Sequence, residues 1–375
     1  MRAFSHCAHF HDMIEFDEYI YYSESSFNGL FRYKKDETIA EFVDTFPDED
    51  IWQWDLHRRI IRYEDGLFFI PLNGRGISIY HPYNNQFDFI DISKGDGQNV
   101  HFSDTIILDE KKVLLVPQCD EDFMVVNLDK RTVERFDLIV NMREMCIDNK
   151  THNEWPRFST QSNCRIDDDI YIALYDTSYI YKITLDRKDI NVIKLPCDKH
   201  IRGISGTDDS IWISFMEDVV AKYDVLSGNI ELKEIPYMTE NATYPYLSVL
   251  EYFNKVVIIP GREDKFILTN RKMDEWELLN FPAGYKREFG FGNTVLTLDY
   301  RIVETNLYMY PRSSNGILIY DFINNSLDNR SINYKNEFTE YLNGKLAASY
   351  IKEDIIIESV DYKIIDFLMG VKFLL

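Results

Sequence analysis

The sequence predicts an all-β protein built as a β-propeller, and three observations support this fold. A pattern of four short strands recurs along the chain at a spacing of about 45 residues. Clusters of turn-forming residues separate the strands, and no helix-length apolar period fits between them. Aromatic residues make up 15% of the chain, which suits the half-buried surfaces of pleated sheets. Four-stranded units at this period are typical of propeller blades, which stack around a central channel.

The clearest unit lies at residues 201–236. Its four predicted strands are 201–206, 211–214, 219–223 and 230–235. Asp208 and Asp209 follow the first strand, and aspartate side chains at such a position bond their own backbone to form a turn. Trp212 and Tyr223 lie in apolar strands, so we expect both to pack between neighbouring blades.

Apolar second strands mark the other units. They begin at Tyr19, Leu67, Val113, Ile170, Ile211, Val256 and Leu307. Third and fourth strands follow each of them, so the sequence predicts seven blades of four antiparallel strands. An eighth start at Ile355 begins an incomplete unit, which leaves an eight-bladed ring with a shortened last blade as the alternative.

The segment 345–375 is predicted to close the ring with extra strands and a short C-terminal helix. Helical spacing is found at Ile364, Phe367, Leu368 and Val371. No linker rich in Pro, Gly or Ser interrupts the chain, so residues 1–375 are predicted to form a single domain. Two long loops, 141–159 and 290–304, lengthen the regular spacing.

The motif DDSIWISFMEDVVAKYDVLSGNIELKEIP at 208–236 resembles repeats of one broad propeller superfamily. This superfamily includes streptogramin-lyase-like, NHL-like and YVTN-like proteins. The shared features are an "IW" strand, a Y-D-x-x-S-G turn and an apolar fourth strand that ends in proline. The resemblance implies the fold but no function. The His and Glu arrangement that the lyases use with magnesium is not found, so lyase activity is not carried over.

Charge and cysteine content limit the partners and the compartment. The chain has 41 Lys and Arg against 63 Asp and Glu, a net charge of −22. This charge repels phosphate backbones, so we expect no nucleic-acid partner. There is no apolar run long enough to span a membrane and no apolar leader, so no membrane association is expected. Five scattered cysteines without a CxxC pair favour reduced thiols in the cytoplasm. We also expect the protein to be a monomer.

Candidate metal and catalytic groups are weak. His9 and His11 share one face of a predicted strand beside Cys7 and could hold zinc, but an ordinary opening strand is the preferred interpretation. Asp167, Asp168 and Asp169 are interpreted as an acidic turn rather than calcium ligands. No phosphate loop or catalytic motif is present. We therefore expect no metal and no cofactor, and the sequence identifies no catalytic residue.

A ligand site is predicted where the channel opens. In a propeller, the loops from strand four to the next strand one lie on the same face as those between strands two and three. Here both sets are rich in Arg, His, Trp and Tyr, which suit anions, sugars and peptide groups. The candidate ligand-binding residues are Trp54, His57, Arg58, Arg75, His101, Trp155, Arg157, His200, Arg202, Tyr246, Arg262 and Arg312. The alternative is that the arginines pair with acidic neighbours such as Asp55.

Three functions remain open from the sequence. The preferred one is a non-catalytic binding module that takes a small anionic or carbohydrate ligand at the channel mouth. The second is a scaffold that binds a protein or peptide, through the same face or the C-terminal helix. The third is a lyase or hydrolase with its reaction in the channel. Propeller folds host many unrelated functions, so the fold alone does not decide among them.

Overall fold

The structure is a computed structural model of the chain. It describes residues 8–335 except 48, 52, 94–96, 119–121, 137–157, 159–160, 188, 238–244, 264, 286–296 and 312–313. Within these residues the chain is almost entirely strand and turn, with one short 3₁₀ turn at Leu185–Arg187. None of the described residues form a helix with the length and apolar character that crossing a bilayer requires.

Seven sheets form the blades, each built on four consecutive antiparallel strands, and a fifth strand joins the sheet of blade 1. In each blade the four strands follow one another in the chain, from the inner strand to the outer strand. Blade 1 contains β1 (Met13–Phe16), β2 (Tyr19–Ser23), β3 (Leu30–Lys34) and β4 (Ile39–Asp44). Blade 2 contains β5 (His57–Tyr63), β6 (Gly66–Pro71), β7 (Gly76–His81) and β8 (Gln86–Asp91). Blade 3 contains β9 (Phe102–Ile107), β10 (Lys112–Pro117), β11 (Phe123–Asn127) and β12 (Thr132–Phe136).

The remaining four blades repeat this order. Blade 4 contains β13 (Asn163–Ile166), β14 (Asp169–Ala173), β15 (Tyr179–Thr184) and β16 (Asp189–Lys194). Blade 5 contains β17 (Ile201–Gly206), β18 (Ser210–Phe215), β19 (Val219–Asp224) and β20 (Ile230–Glu234). Blade 6 contains β21 (Tyr246–Tyr252), β22 (Lys255–Pro260), β23 (Phe266–Thr269) and β24 (Trp276–Leu279). Blade 7 contains β25 (Thr297–Val303), β26 (Asn306–Pro311), β27 (Ile317–Asp321) and β28 (Ser326–Arg330).

The seven-bladed prediction is confirmed, and each predicted second strand lies in its blade. The hydrophobic core is divided among the interfaces between adjacent blades. Seven separate clusters of buried apolar side chains are found, and each joins two neighbouring blades. Trp212 of blade 5 is fully buried against blade 6, and Tyr223 is buried against blade 4. Each sheet therefore buries both of its faces against its neighbours.

Burial explains why the second strands are continuous apolar runs. β6 is buried along its whole length, and β10, β14 and β22 along almost all of it. A central strand covered on both faces has no solvent-facing side chains, so it does not alternate. Outer strands such as β12 and β20 are largely exposed and carry charged residues.

A fifth strand at blade 1 helps to close the ring. β29 (Asn333–Tyr334) pairs in parallel with β4. The Ala8 N–H also donates to the carbonyl of Ile332 at 2.8 Å, and blades 1 and 7 share a hydrophobic cluster. The sequence predicted closing strands in 345–375. That segment, with its predicted helix and the start at Ile355, lies outside the described residues.

Candidate functional site

The blades give the ring two unlike faces. We call one the mouth face, formed by the loops from each outer strand to the next inner strand and by the loops between second and third strands. The hairpin face carries the turns between first and second strands and between third and fourth strands. Inner strands start at the mouth face. Their first residues therefore surround the channel opening.

A β-bulge recurs where the inner strands start. The register of the first two strands shifts in blades 2, 3, 5, 6 and 7. In blade 2 the shift lies between His57 and Arg59, and in blade 5 between Ile201 and Gly203. Arg58 and Arg202 are thus the extra residues of two bulges. Bulges re-aim side chains and are frequent beside binding sites.

Asp299 of blade 7 lies at the centre of a buried ionic cluster. Its carboxylate is 3.0 Å from Nε of Arg58 and 2.8 Å from a terminal nitrogen of Arg59, both of blade 2. The Gln161 side-chain amide of blade 4 and the Tyr300 N–H also donate to it. Since blades 2, 4 and 7 are spread around the ring, this carboxylate lies close to the channel axis. Asp299 is fully buried.

Asp104 of blade 3 extends the same cluster. Its carboxylate accepts from Arg59 Nε at 3.0 Å and from the Gln161 N–H at 3.2 Å. Burial raises the pKa of this carboxyl, but the charges of Arg59 and Arg58 outweigh burial and lower the pKa below its ordinary value. Asp104 is therefore ionised at neutral pH. Its negative charge compensates part of the positive charge of the arginine pair.

Asp12 ties blade 1 to blades 2 and 7. Its carboxylate accepts from the Ile60 N–H at 2.9 Å, from Arg301 at 3.3 Å and from the Tyr310 hydroxyl at 3.2 Å. Arg301 in turn donates to the carbonyl of Met13 at 3.0 Å. Each of these groups is at least half-buried, so the bonds form away from bulk water.

His11 links the axial cluster to the mouth face. Its Nδ1 accepts from Arg58 at 3.1 Å, and its Nε2 lies 2.9 Å from Asp55 Oδ1. Arginine has no acceptor, so Nδ1 carries no proton and Nε2–H donates to Asp55. These contacts fix one neutral tautomer. Asp55 and Gln161 both adopt left-handed backbone angles, with φ of 48° and 57°, as strained residues at functional sites often do.

His57 is buried and uncharged. Its Nδ1 lies 2.9 Å from the Ser23 hydroxyl, and its ring contacts Phe46 and Phe69. Burial in these apolar surroundings lowers its pKa to about 3. His57 therefore has no charge to offer an anion at neutral pH.

Arg58, which the sequence predicts to face a ligand at the channel mouth, and its neighbour Arg59 are already compensated. Arg58 is 2% exposed and is held by Asp299 and His11. Arg59 is held by Asp104 and Asp299. Pairing with an acidic neighbour is the alternative that the sequence leaves open for Arg58. Asp299 of blade 7 is such a partner. The charged cluster also occupies the channel near its mouth.

The rim between blades 1 and 2 is more open. Trp54 has 40% of its surface exposed. Three side-chain amides lie beside it. Asn73 donates to the Trp54 carbonyl at 3.2 Å, and Asn99 donates to the Asn73 side chain at 3.2 Å. Gln53 donates to the Asn73 carbonyl at 2.9 Å. An amide has two N–H donors and two lone pairs, more than these contacts use.

Arg75 and His101 flank this group. The Arg75 N–H donates to Glu49 at 2.7 Å, and its guanidinium lies 6.0 Å from the centre of the Phe89 ring. His101 is half-buried, and its carbonyl accepts from the Gln118 N–H at 2.8 Å. We name Gln53, Trp54, Asn73, Arg75 and Asn99 the Trp54 rim.

The other described candidates lie around blades 4 to 6. His200 is exposed and pairs with Asp176 at 3.0 Å. Arg202 is buried, 5.9 Å from the centre of the Tyr175 ring. Tyr246 is buried with no hydrogen-bond partner for its hydroxyl among the described residues, and burial raises its pKa. Arg262 is half-buried, and its N–H donates to the Pro245 carbonyl at 3.1 Å.

Three further candidates, Trp155, Arg157 and Arg312, lie outside the described residues. The nine that are described are distributed around the mouth face, and their assignment to a ligand site stays a prediction. Sequence reasoning missed the axial residues Asp12, Arg59, Asp104 and Asp299. The repeat offered a signal for these four residues, because each of them lies at or near the start of an inner strand.

Solved structures with the same fold are similar to this chain. A streptogramin B lyase is 12% identical, with 87% of this chain and 96% of that chain covered at a TM-score of 0.59. A virginiamycin B lyase from Staphylococcus aureus is 11% identical, with 82% and 93% covered and a TM-score of 0.57. The extracellular domain of a protein assigned to a hybrid two-component system in B. thetaiotaomicron is 14% identical, with 84% and 38% covered and a TM-score of 0.55.

At these identities the likeness shows the fold alone. It agrees with the propeller superfamily that the motif at 208–236 resembles. No protein-family model and no curated protein sequence matches the chain.

Proposed function

We propose that this protein is a non-catalytic binding module that takes a carbohydrate at the Trp54 rim. The observation that carries the proposal is an exposed indole on the mouth face beside three side-chain amides. The apolar face of an indole suits the C–H face of a sugar ring. Amides both donate and accept, as hydroxyl groups do, so they can fix the orientation of a sugar.

Charge favours a neutral sugar over an anion. Arg58 and Arg59 bind carboxylates within the protein, so the charges of these two arginines are already compensated. The chain as a whole carries a net charge of −22, which repels anionic ligands at a distance. Arg75 remains at the rim, where one guanidinium can donate to a sugar hydroxyl.

A binding panel tests this proposal. Neutral oligosaccharides, acidic oligosaccharides and sugar phosphates are titrated into the protein by isothermal calorimetry. We expect a neutral oligosaccharide to bind, and Trp54→Ala to weaken it at least about tenfold, a loss of about 1.4 kcal/mol. Tyr83→Ala is the matched control, because Tyr83 is an exposed aromatic on the hairpin face. It should leave the affinity unchanged.

Other results would contradict the proposal. Unchanged affinity in Trp54→Ala would place the ligand elsewhere. Binding of sugar phosphates alone, weakened by salt, would favour the anionic ligand instead. Conversion of the bound sugar into a product during the titration would support the lyase or hydrolase alternative.

A further inference from the structure

Acidic side chains mark the turn between first and second strands in every blade but one. Their residues are Asp17 and Glu18, Glu64 and Asp65, Asp109 and Glu110, Asp167 and Asp168, Asp208 and Asp209, and Glu304. Blade 6 alone has Phe253 and Asn254 at this turn. The hairpin face is thus a ring of negative turns interrupted by one aromatic residue.

Phe253 is an unfavourable residue for its backbone conformation. Its φ is 50° and that of Asn254 is 59°, the left-handed pair that Asn and Gly normally occupy in a two-residue turn. A bulky side chain there is an outlier with an energetic cost. The ring gains little burial in return, because 53% of the residue is exposed. Burial therefore gives little reason for a phenylalanine at this position.

Phe253 belongs to an apolar patch across blades 6 and 7. Its ring centre lies 4.7 Å from that of Tyr252 and 6.3 Å from that of Phe322. The Tyr252 hydroxyl donates to the Glu304 carbonyl at 2.9 Å and joins the two blades. Ile323 of blade 7 follows Phe322 in the chain and adds an exposed apolar side chain, with 67% of its surface exposed. We name Tyr252, Phe253 and Ile323, together with the buried ring of Phe322, the blade 6–7 patch.

A polar recess lies beside the patch in blade 6. Its volume is about 310 Å³, and it is lined by Asn254, Asn270, Arg271, Lys272, Asp274 and Glu275. Arg271 binds the buried carboxylate of Glu251, so its charge is compensated. Carboxylates outnumber cations around the blade 6–7 patch. The cations are Lys255, Arg271 and Lys272, and the carboxylates are Glu251, Asp274, Glu275, Glu277 and Glu304.

We propose that the blade 6–7 patch binds a basic amphipathic segment of another protein. Apolar side chains of that segment would cover Phe253 and Ile323, and its Lys or Arg residues would face the acidic turns. Complementary charge selects this partner. A second copy of the same chain carries a net charge of −22 as well, so two such faces repel each other. This site is on the face opposite the Trp54 rim and does not depend on carbohydrate binding.

Fluorescence anisotropy with model peptides tests the proposal. The probes are labelled amphipathic peptides of about 15 residues with the same leucine content and net charges of about +5, 0 and −5. We expect the basic peptide alone to bind the intact protein. Phe253→Asn should weaken it about tenfold. The same change should keep or raise the melting temperature, because Asn tolerates the left-handed conformation.

The matched control is Leu226→Asn. Leu226 is 88% exposed on an outer turn of blade 5 at the same face, and its replacement should leave peptide affinity within about twofold. Glu304→Gln should weaken the basic peptide mainly at low salt.

Three outcomes would overturn the proposal. One is no binding of the basic peptide. Another is equal weakening by Phe253→Asn and Leu226→Asn, which indicates unspecific charge attraction. The third is an effect of Phe253→Asn only on self-association, measured by sedimentation velocity, or only on binding to phosphatidylcholine vesicles.

Discussion

Asp299 lies where side chains from blades 2, 4 and 7 meet. Two arginines, one amide and one backbone N–H share its carboxylate. A buried carboxylate that compensates two guanidinium groups is costly to remove, because a buried positive charge is left without a partner. This residue therefore links stability to the arrangement of the channel mouth.

Asp299→Asn is expected to destabilise the protein by about 3–5 kcal/mol. Arg59 keeps Asp104, but Arg58 loses the carboxylate that lies 3.0 Å from its Nε. Urea denaturation measures the free energy of unfolding. The control is Asp88→Asn, which removes surface pairs with Arg131 and His81 and should cost less than about 1 kcal/mol. Equal costs for the two variants would show that the axial pairs contribute no more than surface pairs.

Single residues differ in how well the sequence predicts them. The burial of Trp212 is predicted because it lies within an apolar strand of a recognisable unit. The pairing of Arg58 with Asp299 is not, because it joins blades that are distant in sequence and depends on a bulge that re-aims the arginine. Hydrophobic pattern determines which side chains are buried. It does not determine which buried charges meet.

At the scale of elements, the second strands are the most predictable parts of the chain. Their continuous apolar runs reflect burial on both faces, so pattern and structure agree. β29 has only two residues, Asn333 and Tyr334, and no pattern distinguishes it. Its position follows from the ring itself, since blade 7 must end beside blade 1. The expected closing segment 345–375 remains untested.

The β29 closure contains a buried carboxyl, Glu24. The Tyr334 hydroxyl and the N–H groups of His9 and Ser26 donate to it. Burial raises the pKa of Glu24 from 4.5 to about 7 even though these hydrogen bonds oppose the shift. Between these two pH values the folded protein holds a proton that the unfolded chain has released. The contribution of Glu24 to the free energy of unfolding is therefore fully present below about pH 4.5 and is lost as the pH rises through about 7.

Glu24→Gln should remove this pH dependence. Relative to the unmodified protein, the variant is expected to gain about 2–3 kcal/mol between pH 5 and pH 8. Urea midpoints at the two pH values measure the gain. Glu41→Gln is the control, because Glu41 is partly exposed and a hydrogen bond from Lys335 lowers its pKa. A similar gain in both variants, or none in Glu24→Gln, would contradict the role of this carboxyl.

The whole molecule has two faces with different chemistry. The mouth face surrounds an axial cluster of compensated charges and carries the Trp54 rim. The hairpin face carries acidic turns and the blade 6–7 patch. Because the axial cluster occupies the channel near its mouth, a ligand at the rim and a partner on the opposite face bind separate surfaces. Repetition of one unit builds the ring, while departures from the repeat create both candidate sites.

The sequence places aromatic and basic residues in the loops that connect the blades at the mouth face. It does not predict which of them stay accessible. Trp54 is exposed because it lies in the connection between blades 1 and 2, whereas His57, three residues later, is buried at the start of β5. Accessibility at a channel mouth depends on where each inner strand begins and on its bulge, and neither leaves a clear mark in the sequence.

A crystal structure of the protein with the neutral oligosaccharide that binds most tightly in the panel tests the central claim most directly. We expect a sugar ring stacked on the Trp54 indole, with hydroxyl groups bonded to the side chains of Asn73 or Asn99. We also expect the pairs of Asp299 with Arg58 and Arg59 to remain intact. A sugar bound away from the Trp54 rim, or one that displaces Asp299 from Arg58, would contradict the account.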